Sequence, residues 1–292
     1  MSHDIPQIAF KTNHDGLQEI EIITIESLME RKETLDHFPE KAHQVRFYLL
    51  IHYTEGATEH LIDFVWHPVR KNTLVYLTKG QINAFRFTPE TKGYIILFTE
   101  NYFKSQLNTL PRNTVIRLFT SHLFSPIIQI PESSQVPEYF QLFYKEFYKE
   151  QQAFNKGNII DALYTIIFSK LEQLKQSQTF HIQESDKLAT FLKFTSIVAL
   201  NYGKSRNADF YASHMNISYK HLNTICKEIV HKTAKQFIDE FIILEAKRQL
   251  INSSIKSTQL AYALGFEEPT NFVKYFKKHT RLTPNAFKNL HI

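Results

Sequence analysis

From Val45 to about Phe103 the apolar residues gather in short runs, VRFYLLIHY, HLIDFVW, TLVYLT, INAFRF and GYIILFT, rich in aromatic and β-branched side chains. Such runs predict strands. Turn residues stand between them at Glu55-Gly56, at Lys79-Gly80 and from Pro89 to Gly93, at intervals suited to a small antiparallel barrel or sandwich. The period then changes. Residues 137–152 place Phe140, Phe143, Tyr144, Phe147 and Tyr148 at three- and four-residue steps, and 158–176 repeat the stripe with Ile159, Ala162, Leu163, Ile166, Ile167, Leu171 and Leu174. Both stripes predict helices with one apolar face, packed on the barrel or paired with a second copy of the chain. Residues 177–185 are polar and without period, and read as a linker.

Beyond the linker every segment predicts helix. One helix covers 186–201. Asn207 caps a short one over 208–214, Ser218 caps another over about 219–229, and Thr233 caps a long amphipathic helix to about Asn252. Thr258 caps a short helix ending at Gly265, Pro269 sits in the first turn of one running to His279, and Pro284 opens the last. A short helix, a tight turn and a second helix is the unit that lays one helix in a DNA major groove. The order occurs twice, at 208–229 and 258–279. Ala212, Ile217, Leu222 and Ile225 are expected to face inward in the first unit, and Ala261, Ala263, Leu264, Phe266, Phe272 and Phe276 in the second. The connecting helix of about 20 residues spans ~30 Å, close to the ~34–36 Å of one DNA turn.

Charge sharpens this division. Residues 186–292 hold 16 Lys and Arg against 8 Asp and Glu, whereas the first 185 hold 18 against 21. A basic domain behind a mildly acidic one points to a polyanionic partner. The single cysteine, Cys226, excludes an intrachain disulfide and a thiolate metal cluster and suits a reducing cytoplasm. Neither a signal peptide nor a run of 18 uncharged apolar residues is present, so no membrane contact is expected. Seven glycines in 292 residues argue against glycine-rich nucleotide loops, and neither a Ser-His-Asp spacing nor HExxH occurs.

The stretch 244–287, LEAKRQLINSSIKSTQLAYALGFEEPTNFVKYFKKHTRLTPNAF, resembles the C-terminal pattern of the AraC-type (AraC/XylS) bacterial transcription regulators. The resemblance rests on Ala246 to Leu250, on Leu260-Ala261 with Gly265-Phe266, on Phe272 and Phe276-Lys277-Lys278, and on Thr283-Pro284 with Phe287. Ser218 with Leu222, and the run from Thr233 to Phe237, fit as well. Glu55 to Phe64 (E-G-x-x-x-H-x-I-D-F) and Lys79-Gly80-Gln81 are similar to that family's cupin-like sensor domain. The chain departs from the pattern at His231 and Arg281, where the family commonly has a helix-stopping glycine.

The resemblance implies an α+β, two-domain protein. Residues 1–176 would form a cupin-like sensor and dimerisation domain, with its barrel over about 20–103 and helices over about 137–176. Residues 186–292 would form an all-α domain with two helix-turn-helix units. It implies a sequence-specific, non-enzymatic regulator without cofactor. Its partners would be double-stranded promoter DNA, RNA polymerase, an unidentified small-molecule effector and a second copy of the chain, met in the cytoplasm. By position, Tyr219, Lys220, Asn223, Thr224 and Lys227 on the first recognition helix and Thr270, Asn271, Val273, Lys274 and Lys278 on the second would face DNA. Asn pairs with adenine, Thr and Val touch a thymine methyl, and Lys reaches guanine or phosphate. With no Arg among them, the set leans toward A·T-rich targets. Arg46, Tyr48, Trp66 and Tyr76 are candidate effector-pocket walls. Two other readings of the first domain remain: a constitutive dimerisation module without effector, and a metal-dependent cupin enzyme using His43, His52, His60 or His67. The second lacks three ligands around an open position.

Overall fold

The computed structural model describes residues 7–10, 19–35, 37–107, 109–110, 125–149, 154–178, 185–252 and 255–291. They form two compact units, the first ending at residue 178 and the second starting at residue 185.

The first unit is two five-stranded sheets facing each other. Strands β1 (Gln7–Ile8), β2 (Ile20–Thr24), β3 (His43–Val45), β4 (Tyr48–Glu55), β5 (Ala57–Ile62), β6 (Val65–Arg70), β7 (Thr73–Leu77), β8 (Ile82–Phe85), β9 (Lys92–Phe98) and β10 (Ile127–Gln129) divide between them. One sheet has the order β1-β3-β8-β5-β6 and the other β10-β7-β4-β9-β2. The strands therefore extend on both sides of the expected 20–103, and the two sheets keep separate edges, as in an open cupin-like barrel. HLIDFVW is not one strand. Asp63 and Phe64 both take positive φ (44° and 71°) and turn the chain into the β5–β6 hairpin, the backbone of a two-residue turn that follows strand twist. Asp63 is held there by its carboxylate, which accepts from the Ile82 amide (3.1 Å) and from Gln81 Nε2 (2.8 Å). The D-F and K-G-Q signals are thus two halves of one scaffold contact.

Among the described residues, helices α1 (Ile25–Arg31), α2 (Glu100–Gln106), α3 (Val136–Phe147) and α4 (Lys156–Gln178) accompany the sheets. Strand β4 is buried on both faces. Leu49, Ile51 and Tyr53 enter the core between the sheets, and Leu50 enters a second core beneath α3 and α4 with Phe140, Phe143 and Phe147. On α4 the buried stripe is Ile160, Leu163, Tyr164, Ile167, Phe168 and Leu171, while Ile159 and Ile166 stay exposed. The helix continues through Ser177 and Gln178, two residues into the expected linker.

Among the described residues the second unit is all helix: α5 (Asp186–Asn201), α6 (Ala208–His214), α7 (Tyr219–Val230), α8 (Ala234–Asn252), α9 (Ser257–Ala263), α10 (Pro269–Thr280) and α11 (Pro284–His291). Phe191 and Phe194 of α5 pack with Phe237 of α8 at ring distances of 5.2 and 5.5 Å, and Tyr211 of α6 meets Phe194 at 5.9 Å. No helix among the described residues is long and apolar enough to cross a membrane.

Candidate nucleic-acid interface

Local chemistry sets each turn of the first helix pair. The Asn207 side chain accepts from the Asp209 amide (3.1 Å) and starts α6. Asn216 at φ 56° turns the chain, and the Ile217 amide donates back to the Ala212 carbonyl (3.1 Å). Ser218 Oγ then accepts from the His221 amide (3.1 Å) and opens α7. That helix ends at His231, left-handed at φ 56°, whose amide donates to Lys227 O (3.1 Å). Thr233 and Gln236 exchange side-chain and backbone hydrogen bonds, a capping box that starts α8.

The second pair repeats this backbone. Gly265 turns at φ 73°, the Phe266 amide donates to Ala261 O (2.9 Å), and Arg281 ends α10 at φ 64° with its amide on Lys277 O (2.8 Å). Thr283 Oγ1 then caps α11 through the Ala286 amide (3.2 Å). One cap differs from expectation. α9 starts at Ser257 with Lys256 at the cap position, and Gln259 Oε1 accepts the Lys256 amide (3.1 Å), so Thr258 lies inside the helix. Leu260, Ala261, Leu264, Phe266, Phe272 and Phe276 are buried, whereas Ala263 is exposed.

These are two helix-turn-helix units joined by the 19-residue α8. A helix-turn-helix domain model matches residues 211–289, a span that begins in α6 and ends in α11. The C-terminal domain is an AraC-type helix-turn-helix domain. An uncharacterized HTH-type transcriptional regulator in the cgkA 5′ region of Pseudoalteromonas carrageenovora is 35% identical over 88 residues, which are 30% of this chain and 52% of the relative. The Msm operon regulatory protein of Streptococcus mutans is 21% identical over 189 residues, 62% of each chain. The lactose operon transcription activator of Staphylococcus xylosus is 22% identical over 131 residues, 45% of this chain and 46% of its own. The chain thus spans about half to six-tenths of these curated relatives. Among solved structures, fatty-acid-bound ToxT from Vibrio cholerae aligns over 96% of this chain and 97% of its own, with 13% identity and a TM-score of 0.47.

Within this AraC-type domain, Tyr219, Lys220, Thr224 and Lys227 are exposed on α7, and Thr270, Asn271, Lys274 and Lys278 on α10; Val273 is half-buried. Lys220, Lys227, Lys274 and Lys278 have no ion-pair partner among the described residues, while neighbouring acids are taken up by Lys187–Glu228 (2.6 Å), Lys232–Glu240 (2.5 Å) and Lys235–Asp239. Asn223 has a different position from the others. It is half-buried, and its Oδ1 accepts the Ala234 amide (2.9 Å) at the first turn of α8. Bidentate pairing with adenine would need that same oxygen. Two basic residues outside the expected set, Lys277 and Arg281, are exposed at the C-terminal end of α10. Arg281 was legible as a departure from the family's glycine, though not as a surface cation.

In the first unit a cavity of about 350 Å³ opens between the sheets beneath α1. Its wall is mainly apolar, including Ile23, Val45, Phe47, Leu49, Phe85 and Ile95, with Glu21, Arg31, Thr34, His37, His43 and Asn83 as polar groups. Arg46, Tyr48, Trp66 and Tyr76 are not on it. Arg46 is exposed, Tyr48 and Tyr76 pack on the helix-covered face, and Trp66 carries the Arg86 guanidinium over its ring at 4.4 Å. Burial pushes the Glu21 carboxyl above its ordinary value, with Arg31 opposing.

The histidines do not converge. His52 lies against Phe140 (5.0 Å) under the helices, and His60 faces Tyr53 inside the other sheet with a 2.7 Å hydrogen bond. His43 Nδ1 donates to Lys41 O (2.9 Å) and its Nε2 accepts from Asn83 Nδ2 (3.0 Å). Burial holds His43 and His52 down at about 4 and His60 at about 3, all neutral at pH 7. His67 sits opposite His60 on β6. Among the described residues no three His, Cys, Asp or Glu side chains are placed to hold a metal ion.

Proposed function

We propose that the chain is a sequence-specific DNA-binding transcription regulator in which α7 and α10 enter DNA major grooves. The observation that carries this is the duplicated helix-turn-helix, whose second helices both present lysines unpaired with acids. Exposed cations outside any internal ion pair neutralise phosphate at little cost, because no such pair has to be broken. The names of the Streptococcus and Staphylococcus relatives, an operon regulatory protein and an operon transcription activator, support the regulatory role.

The cavity between the sheets supports control by a small-molecule effector, since a mainly apolar wall with a few polar groups is the usual make-up of a ligand site. The exposed Leu142, Ile159 and Ile166 on α3 and α4 support pairing with a second copy. Cytoplasmic action at promoters, with RNA polymerase nearby, completes the reading, and the chain needs no catalytic step.

The test is selection of the purified full-length chain on fragmented genomic DNA at near-physiological salt, sequencing what is retained. Enrichment of a motif with two half-elements about one turn apart is expected. On that motif Lys274→Ala should lower the slope of log affinity against log salt by about 0.9. Retention of DNA without any shared motif would overturn the proposal.

A further inference from the structure

We propose that Arg206 is a positioning residue that latches the second helix-turn-helix unit to the loop after α5, so that α7 and α10 are held at one fixed separation. The inference rests on the DNA-binding reading above and concerns how the two units are kept in phase.

The contact is between segments far apart in sequence. The chain leaves α5 through 202–207 and enters α6, and this loop lies against the turn after α9. Arg206 Nη1 donates to Gly265 O (2.9 Å) and Leu264 O (3.3 Å). Its guanidinium carbon lies 3.8 Å from the centre of the Phe266 ring. The two carbonyls follow the C-terminal end of α9, where helix carbonyls lack partners and a cation is favoured. Arg supplies charge, donors and a flat face to the ring together.

Close backbone approach makes the fit specific. A Cβ on Gly265 would stand 2.2 Å from Gly203 O, and a Cβ on Gly203 would stand 2.7 Å from Ala263 O. Glycine is required at 265 twice over, by this approach and by its positive φ of 73°.

The latch continues into the connecting helix. Phe266 packs on Tyr275 of α10 at 5.3 Å, and the Tyr275 hydroxyl donates to Asp239 Oδ1 of α8 at 2.7 Å. Arg206, Phe266, Tyr275 and Asp239 therefore form one chain of contacts from the first unit's entry loop, through the second recognition helix, to the helix that joins the units. Two units hung on one helix could otherwise twist independently. With this bridge, moving α10 against α7 requires breaking two hydrogen bonds and a stacked cation.

Two measurements test this with the full chain. The first places single nitroxide labels at Lys220→Cys and Lys274→Cys, where both side chains are exposed and Cys226 is buried, and reads the label-to-label distance without DNA. Arg206→Ala should broaden a narrow distribution, and an unchanged width would overturn the latch. The second uses duplexes bearing the selected motif with one or two base pairs inserted between the half-elements. Wild type should lose roughly tenfold or more in affinity on insertion, as one half loses its base contacts. Arg206→Ala should bind the original spacing within about threefold of wild type and lose far less on insertion. Equal spacing penalties in both proteins would overturn the latch. Should Arg206→Ala fail to fold, Arg206→Met keeps an alkyl chain on Phe266, removes both donors, and carries the same comparison. If wild type selects no motif the DNA-binding reading falls, while the label distances still decide the latch.

Discussion

Replacing Asn223 by alanine separates two roles that its position on α7 suggests. The amide oxygen accepts the Ala234 N–H at 2.9 Å, and Ala234 is fully buried at the start of α8. Alanine leaves that N–H without a partner, and an unsatisfied buried donor costs about 1–3 kcal/mol. For a helical unit of roughly one hundred residues each kcal/mol lowers the melting temperature by about 4 °C, so a drop of roughly 4–12 °C is expected in the transition of the C-terminal unit. Aspartate at the same position keeps an acceptor and adds a negative charge at a helix N-terminus, which is favourable by about 0.3–1 kcal/mol. Asn223→Asp should therefore melt at or above the wild-type temperature at pH 7.

The assay is thermal unfolding of both variants followed by circular dichroism, with DNA selection run on each. A melting temperature for Asn223→Ala within about 1 °C of wild type would refute the capping role. Loss of one base preference in Asn223→Asp, with stability intact, would show that the amide nitrogen still reaches the groove while the oxygen holds α8.

Other outcomes follow from the same structure. His43, His52 and His60 are buried neutral with pKa values of about 4, 4 and 3, so below pH 6.5 the unfolded chain takes up protons that the fold refuses. Stability of the N-terminal unit should fall as pH drops from 6.5 toward 4, by at most roughly 1.4 kcal/mol per imidazole per pH unit; Glu21, its carboxyl raised by burial, works the other way but is one group against three. A guanidinium midpoint unchanged between pH 7.5 and 5.5 would contradict this. Cys226 is buried and its thiol pushed up to about 12, so a thiol reagent should react only as the C-terminal unit opens, and rapid stoichiometric labelling of native protein would be inconsistent with that. Arg281→Gly relieves a left-handed residue at a cost of about 1 kcal/mol and loses a cation at the end of α10 worth about 0.3–1 kcal/mol. Its chemical-denaturation stability should rise slightly or stay level, and a clear loss would sink the strain argument.

Much of the C-terminal unit was legible because its signals are local. Asn207, Ser218 and Thr233 cap the helices predicted for them, since a cap involves only the next three residues. Thr258 failed for a related reason: the Gln259 side chain closes the turn from the opposite direction. The hairpin at Asp63-Phe64 was hidden because Phe is not a turn residue and the run around it is apolar throughout. The barrel interior was illegible from alternation, as Leu49, Leu50 and Ile51 are all buried and successive positions look alike. Tyr48 and Tyr76, expected on the cavity wall, therefore face the helices, and nothing in the alternation marks Glu21 and Arg31, on β2 and α1, as cavity residues.

The two helix-turn-helix units share a backbone but not a core, and the difference bears on how they support each other. In the first, Leu222, Ile225 and Cys226 of α7 are buried beside α5 and α8, whose Phe191, Phe194 and Phe237 supply the rings. The second unit has the end of α8 and the short α11 in place of a helix like α5. It fills the corresponding space from its own residues: Phe266 meets Phe272 at 5.4 Å, Phe272 meets Phe276 at 5.7 Å, and Phe276 meets Phe287 at 5.6 Å. Rings supply large buried area per residue, yet a row of them leaves the outer side of Phe266 uncovered, and there the Arg206 guanidinium is stacked. The smaller unit thus takes part of its wall from the loop of the larger one. A unit completed in this way is most stable in one orientation relative to its neighbour, so the aromatic core and the fixed separation of the two recognition helices have the same physical origin.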